Sequence, residues 1–111
     1  MELVKKPWGW YSTLDNGHDY KVKKIFVKGR HRFSLQYHGF REEHWIVVKG
    51  SGILTQGKKE TVVNPGDNFY IPIGGIHRLT GGKEGVMFIE VQRGVCEEDD
   101  IVRLSDDYGR S

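Results

Sequence analysis

Gln36-Tyr37-His38-Gly39-Phe40-Arg41-Glu42-Glu43 is the stretch on which the reading of this chain turns. On an extended strand alternate side chains leave the same face, so Gln36 and His38 project together. Gly39 lies in a short segment where the chain can turn and bring the Glu43 carboxylate back beside them. Far downstream, Pro72-Ile73-Gly74-Gly75-Ile76-His77 places a second imidazole just past a Pro/Gly-rich strand end. Two imidazoles, one carboxylate and one amide oxygen suit a divalent transition metal: zinc, manganese, iron, cobalt or nickel. Taken singly, each residue is more ordinarily a surface or hydrogen-bonded group than a ligand. The order and spacing of the two clusters, with Gly50 beyond the first and Gly66 ahead of the second, favour a metal site at Gln36, His38, Glu43 and His77.

Around this stretch the chain is punctuated by turn signals. They fall at Asn16-Gly17, Lys28-Gly29, Gly50-Ser51-Gly52, Gln56-Gly57-Lys58, Asn64-Pro65-Gly66, Gly74-Gly75 and Gly81-Gly82. Between them lie short runs rich in β-branched and aromatic residues: 8–14, 20–28, 32–37, 43–49, 52–56, 60–64, 68–71, 77–80 and 85–92. Such regular short strands predict an antiparallel sandwich or barrel. The tail from Glu97 to Leu104 reads equally as a short helix or a strand. With 111 residues the chain has the length of a single domain, 1–111, with one core.

Charge and composition exclude several functions. Seventeen basic and 15 acidic side chains leave a net charge of +2, which is not the footprint of a dedicated nucleic-acid binder. The lone Cys96 cannot close an internal disulfide and favours a reducing compartment. No apolar run is long enough to cross a bilayer, and Met1 to Pro7 carries no apolar leader core. A cytoplasmic location is expected. Lys21, Lys23, Lys24 and Lys28, interspersed with Val22, Ile25, Phe26 and Val27, read as a solvated strand face. Gly29-Arg30-His31-Arg32 reads as a solvated basic loop, although either set of cations could meet an anionic substrate.

Three stretches narrow the reading further: Phe33 to His38 leading to Arg41-Glu42-Glu43-His44-Trp45; Tyr70 to Leu79; and Ile89-Glu90-Val91-Gln92. With Lys6 to Tyr11 at the front and Glu98 to Arg103 behind, they resemble the cupin superfamily, and within it type II phosphomannose isomerase. That domain is often fused behind a mannose-1-phosphate guanylyltransferase. The resemblance implies an all-β cupin-type double-stranded β-helix, a jelly-roll barrel. It implies one divalent metal, zinc first, on Gln36, His38, Glu43 and His77, and interconversion of mannose 6-phosphate and fructose 6-phosphate. The chain departs from the family where three consecutive histidines are usual and it reads His38-Gly39-Phe40.

Arg41 matches an arginine of the family's first motif and is the expected contact for substrate phosphate or an enediolate oxygen; the alternative is a surface ion pair with Glu42. Glu90 and Gln92 share a strand face and are expected to line the pocket, with Glu90 as the candidate base. Trp45 has the parity of Glu43 and should wall the barrel. His44 has the opposite parity, and His18 and His31 read as solvated. A homodimer is expected, with Trp8-Gly9-Trp10-Tyr11 packed on a sheet and against the partner. Two other readings remain at this point: a metal-dependent dioxygenase, and a non-catalytic cupin that binds a sugar or metabolite.

Overall fold

A computed structural model describes residues 2–110, and these form nine strands and no helix. β1 (Leu3–Lys6), β2 (Gly9–Asn16) and β3 (Tyr20–Val27) make an antiparallel meander, and β3 pairs with the second half of β8 (His77–Gly94). β5 (Arg41–Gln56) runs antiparallel to β8 over most of its length. β6 (Lys59–Val63) and β7 (Asn68–Ile71) add to β5, and β4 (Leu35–Tyr37) joins the start of β8 to β9 (Val102–Ser105). The result is one sheet curled around its own interior.

The two long strands correct the sequence reading at two places. Gly50-Ser51-Gly52 and Gly81-Gly82 do not end strands. β5 and β8 run on through them as bent, irregular corners, with register breaks at Val47/Lys49 and Gly50/Gly52. An odd shift exchanges the two faces of a strand. In β5 the inward set passes from Arg41, Glu43, Trp45 and Val47 to Gly52 and Leu54. In β8 it passes from His77 and Leu79 to Val86, Phe88, Glu90 and Gln92. Gly50 sits at φ +74°, and a Cβ there would be driven into the carbonyl of Gly85, itself at φ +84°. Only glycine allows this backbone approach.

The undecided tail contributes a strand, β9, and β1 is a strand that the sequence reading did not contain. The apolar core comprises Trp8, Ile25, Val27, Phe33, Trp45, Val47, Leu54, Val63, Ile71, Leu79, Val86 and Phe88. Trp8 belongs to this chain's own core, edge-on to Phe33 at 5.6 Å, while Trp10 packs on Phe26 at 5.9 Å.

Candidate metal centre

The polar interior is built by the same alternation that builds the core. Glu43 and Arg41 precede Trp45 and Val47 on the inward face of β5, and Glu90 and Gln92 follow Phe88 on that of β8. Gln92 lies opposite Glu43 across the strand pair, and Glu90 lies opposite Trp45. His77 opens β8 and is in register with Gln36 of β4. His38 arrives from the connection after β4. Gln36, His38, Arg41, His77, Glu90 and Gln92, with Lys23 of β3 and Glu98 of the tail, line one cavity, and Glu43 stands just behind it against His38, His77 and Arg41.

His38, Glu43 and His77 are all buried, and each offers a ligand atom within 4.8 Å of the others. His38 Nε2 lies 3.3 Å and His77 Nε2 lies 3.9 Å from Glu43 oxygens. The Nδ1 atom of His38 meets the Asp100 carbonyl at 2.7 Å, and that of His77 meets the Gly75 carbonyl at 2.9 Å. A carbonyl only accepts, so in both rings the proton sits on Nδ1 and the lone pair on Nε2 faces inward. Burial pushes both imidazoles below their ordinary pKa against the pull of Glu43, which keeps them neutral. Neutral rings, oriented from behind and aimed at a carboxylate, fit a divalent metal.

Glu43 is held from several sides. Trp45 Nε1 donates to its Oε1 at 3.0 Å and Arg41 Nε to its Oε2 at 2.9 Å. Burial opposes its ionisation, but His77, His38 and Arg41 carry its carboxyl down to about 2. Glu90 goes the other way. Burial, then the neighbouring Glu43 charge, pushes it well above the usual carboxylate range, and it shares a hydrogen bond with Glu43. Gln92 Nε2 donates to Glu90 Oε1 at 2.6 Å, and Gln92 Oε1 is a buried acceptor with no partner. Gln36 also lines the cavity; its Oε1 accepts from Ser34 Oγ at 2.6 Å, so the amide oxygen needs to leave that bond or share it to ligate.

Arg41 is not the surface partner of Glu42, which instead accepts from Tyr70 and Arg93. It is buried, donating Nη1 to the Glu97 carbonyl at 3.0 Å and Nη2 to His38 Nε2 at 3.2 Å. That last bond uses the lone pair a metal would need, so Arg41 must yield His38 when a metal binds. Lys23 is a second correction. The sequence reading put it on a solvated face, yet it is buried and bonded to Glu98. Its parity matches the buried Ile25 and Val27, a signal that could have found it. His44 is exposed, as its parity requires, and His31 stacks on Tyr108 rather than being merely solvated. Gly39 and Phe40 do not line the cavity. Their N–H groups donate to the Asp100 carboxylate, and the Phe40 side chain stands in solvent at 66% exposure.

A curled antiparallel sheet with a His/Glu cluster between its walls defines a cupin domain. Solved cupin-like structures superpose on it: a cupin-2 domain from Rhodospirillum rubrum (TM-score 0.79, 18% identity, 92% of this chain and 72% of that one), KdgF from a Halomonas species (0.78, 12%, 86% and 90%), and the capsular polysaccharide assembling protein CapF from Staphylococcus aureus (0.83, 17%, 94% and 34%). At these identities the likeness concerns the fold alone. The chain belongs to the mannose-6-phosphate isomerase C-terminal family, whose model matches residues 1–106; it is a cupin domain of the type II phosphomannose isomerase kind. It is 46% identical over 110 residues to the xanthan biosynthesis protein XanB of Xanthomonas campestris pv. campestris, covering 97% of this chain and 24% of that protein. It is 42% identical over 109 residues to a mannose-1-phosphate guanylyltransferase of Escherichia coli, covering 96% and 23%. The chain thus spans about a quarter of the length of the curated relatives it matches. Among the described residues no helix is long and apolar enough to cross a membrane.

Proposed function

We propose that this domain is a metal-dependent aldose–ketose isomerase that interconverts mannose 6-phosphate and fructose 6-phosphate. The observation that supports it most is the buried cluster of His38, Glu43 and His77, with ligand atoms within 4.8 Å of one another and the buried Glu90 carboxyl on the same wall, in a chain of this family. Gln36, His38, Glu43 and His77 would hold one divalent ion, zinc first. When bound, such an ion supplies polarisation of the sugar carbonyl and stabilisation of negative charge on its oxygen.

The chain's own residues do the rest. Isomerisation moves the C2 proton of the aldose to C1 through an enediolate, while the C2 hydroxyl proton passes to the adjacent C1 oxygen, and both moves reverse in the other direction. Glu90 lines the cavity beside Glu43 and is the carboxyl placed to take the C2 proton and return it at C1. Gln92 fixes its orientation. Arg41, already beside Glu43 and His38, donates to the enediolate oxygen, while Trp45, Phe33 and Phe88 keep water from that wall. In this reading the chain acts as a homodimer in the cytoplasm; light scattering that reports a monomer at high concentration would remove the dimer.

The test is steady-state kinetics on metal-loaded protein with mannose 6-phosphate. Glu43→Ala is expected to abolish turnover, because the charge that serves the transition state is gone. Arg41→Lys keeps one charge but loses the planar fork, so turnover and affinity fall by less. Sugar-phosphate binding without turnover by the wild type, with several metals tried, would replace this reading with a binding cupin.

A further inference from the structure

We propose that Lys21 and Lys23 form the subsite for the substrate's phosphate group, and that Glu98 is a built-in carboxylate that fills it until the phosphate arrives. The proposal rests on the reading that the ligand is a sugar phosphate. Lys21 and Lys23 are two apart on β3 and leave the same face; Lys23 lines the cavity, and Lys21 shares its Glu98 partner. Their ammonium groups lie 3.1 Å and 2.7 Å from Glu98 carboxylate oxygens. The lysine side chains are only 11% and 5% exposed, whereas that of Glu98 is 50% exposed. The carboxylate can trade the lysines for water; the lysines cannot make the reverse exchange and need an anion at this place.

Charge and reach both suit a phosphate monoester. Two ammonium groups against one carboxylate leave an excess positive charge, and a phosphate dianion matches the pair without remainder. Of the other cations that line the cavity, Arg41 is bonded to Glu43 and Arg110 to Asp106 at 2.9 Å, and Lys6 and Arg103 stand outside the Glu98 pairing. Lys21, Gln92 and Glu43 lie in one row across β3, β8 and β5, and Lys23, Glu90 and Trp45 lie in the next. Two strand spacings, about 10 Å along the sheet, separate the backbone of the lysines from that of Glu43, comparable to the length of an extended six-carbon sugar phosphate. Glu90 stands between, where C1 and C2 would approach it. Tyr11 supports the arrangement, with Lys23 Nζ 4.0 Å from its ring centre.

The experiment is a titration of metal-loaded protein with inorganic phosphate at constant ionic strength, followed by NMR shifts. Lys23→Met is expected to weaken binding at least tenfold and Lys21→Met several-fold. Glu98→Gln is expected to tighten it about tenfold, because the competing charge has gone. Unchanged binding in Lys23→Met, or unchanged or weaker binding in Glu98→Gln, overturns the proposal. So does equal loss-free binding in all three variants, the mark of phosphate held by the metal alone. If Lys23→Met does not fold, Glu98→Gln decides by itself. Phosphate binding of this pattern without any isomerisation removes the proposed function and leaves the subsite. Isomerisation with an unchanged KM in Lys23→Met removes the subsite alone.

Discussion

β5 and β8 each pass through two environments, and the contrast divides the work of the molecule. Around their corners the interior is dry: Val47, Leu54, Val63, Leu79 and Val86 are almost wholly buried in the apolar core. A few residues along the same strands, on the same inward face, the interior carries Arg41, Glu43, His77, Glu90 and Gln92. The dry end gains free energy from every buried side chain. The polar end gains little, because removing charges from water offsets most of what their pairing returns. One sheet geometry therefore serves stability at one end and chemistry at the other, and only side-chain identity tells them apart.

This contrast can be broken from either side. At the dry end, Leu54→Ala should cost about 2–5 kcal/mol, read from chemical denaturation; a loss below 1 kcal/mol would mean that this end is not the stabilising one. At the polar end, Arg41→Leu leaves the Glu43 charge buried without its guanidinium and should cost about 3 kcal/mol. The paired change Arg41→Leu with Glu43→Leu should recover most of that stability while losing metal. His77→Ala should remove most bound metal, measured by elemental analysis, and leave the far-UV spectrum of the sheet intact. Glu90→Met should cost about 1–2 kcal/mol and end turnover, since it leaves the buried Gln92 amide without its acceptor. The smallest effect lies outside both ends. The hydrogen bond from Arg110 holds the Asp106 carboxyl at about 2, below its ordinary 3.8. The stability it adds is present above the ordinary value and fades as pH falls toward 2, so Asp106→Asn should flatten acid unfolding in that window.

How much of this could be read from the residues depended on parity. Glu43/Trp45 and Glu90/Gln92 are pairs two apart on strands, Gln36/His38 a pair that ends just past one, and all six side chains line the cavity or border it. Parity also held the answer for Lys23, which shares the face of Ile25 and Val27, but a run of lysines has the look of a wet surface. The corners at Gly50–Gly52 and Gly81–Gly82 were illegible for another reason. A glycine pair signals a change of backbone direction without saying whether the strand ends or bends, and that depends on a neighbour such as Gly85 coming close. Glu98 was illegible because its partners are 77 and 75 residues away along the chain, and nothing local specifies such a pairing.

The central claim, that the polar end moves a proton between adjacent sugar carbons, is tested most directly in deuterium oxide. Metal-loaded protein is incubated with mannose 6-phosphate, and the C2 proton is followed by NMR. The account predicts growth of fructose 6-phosphate with deuterium entering at the carbons that exchange, and loss of both signals in Glu43→Ala. Neither product nor exchange from the metal-loaded wild type would contradict it.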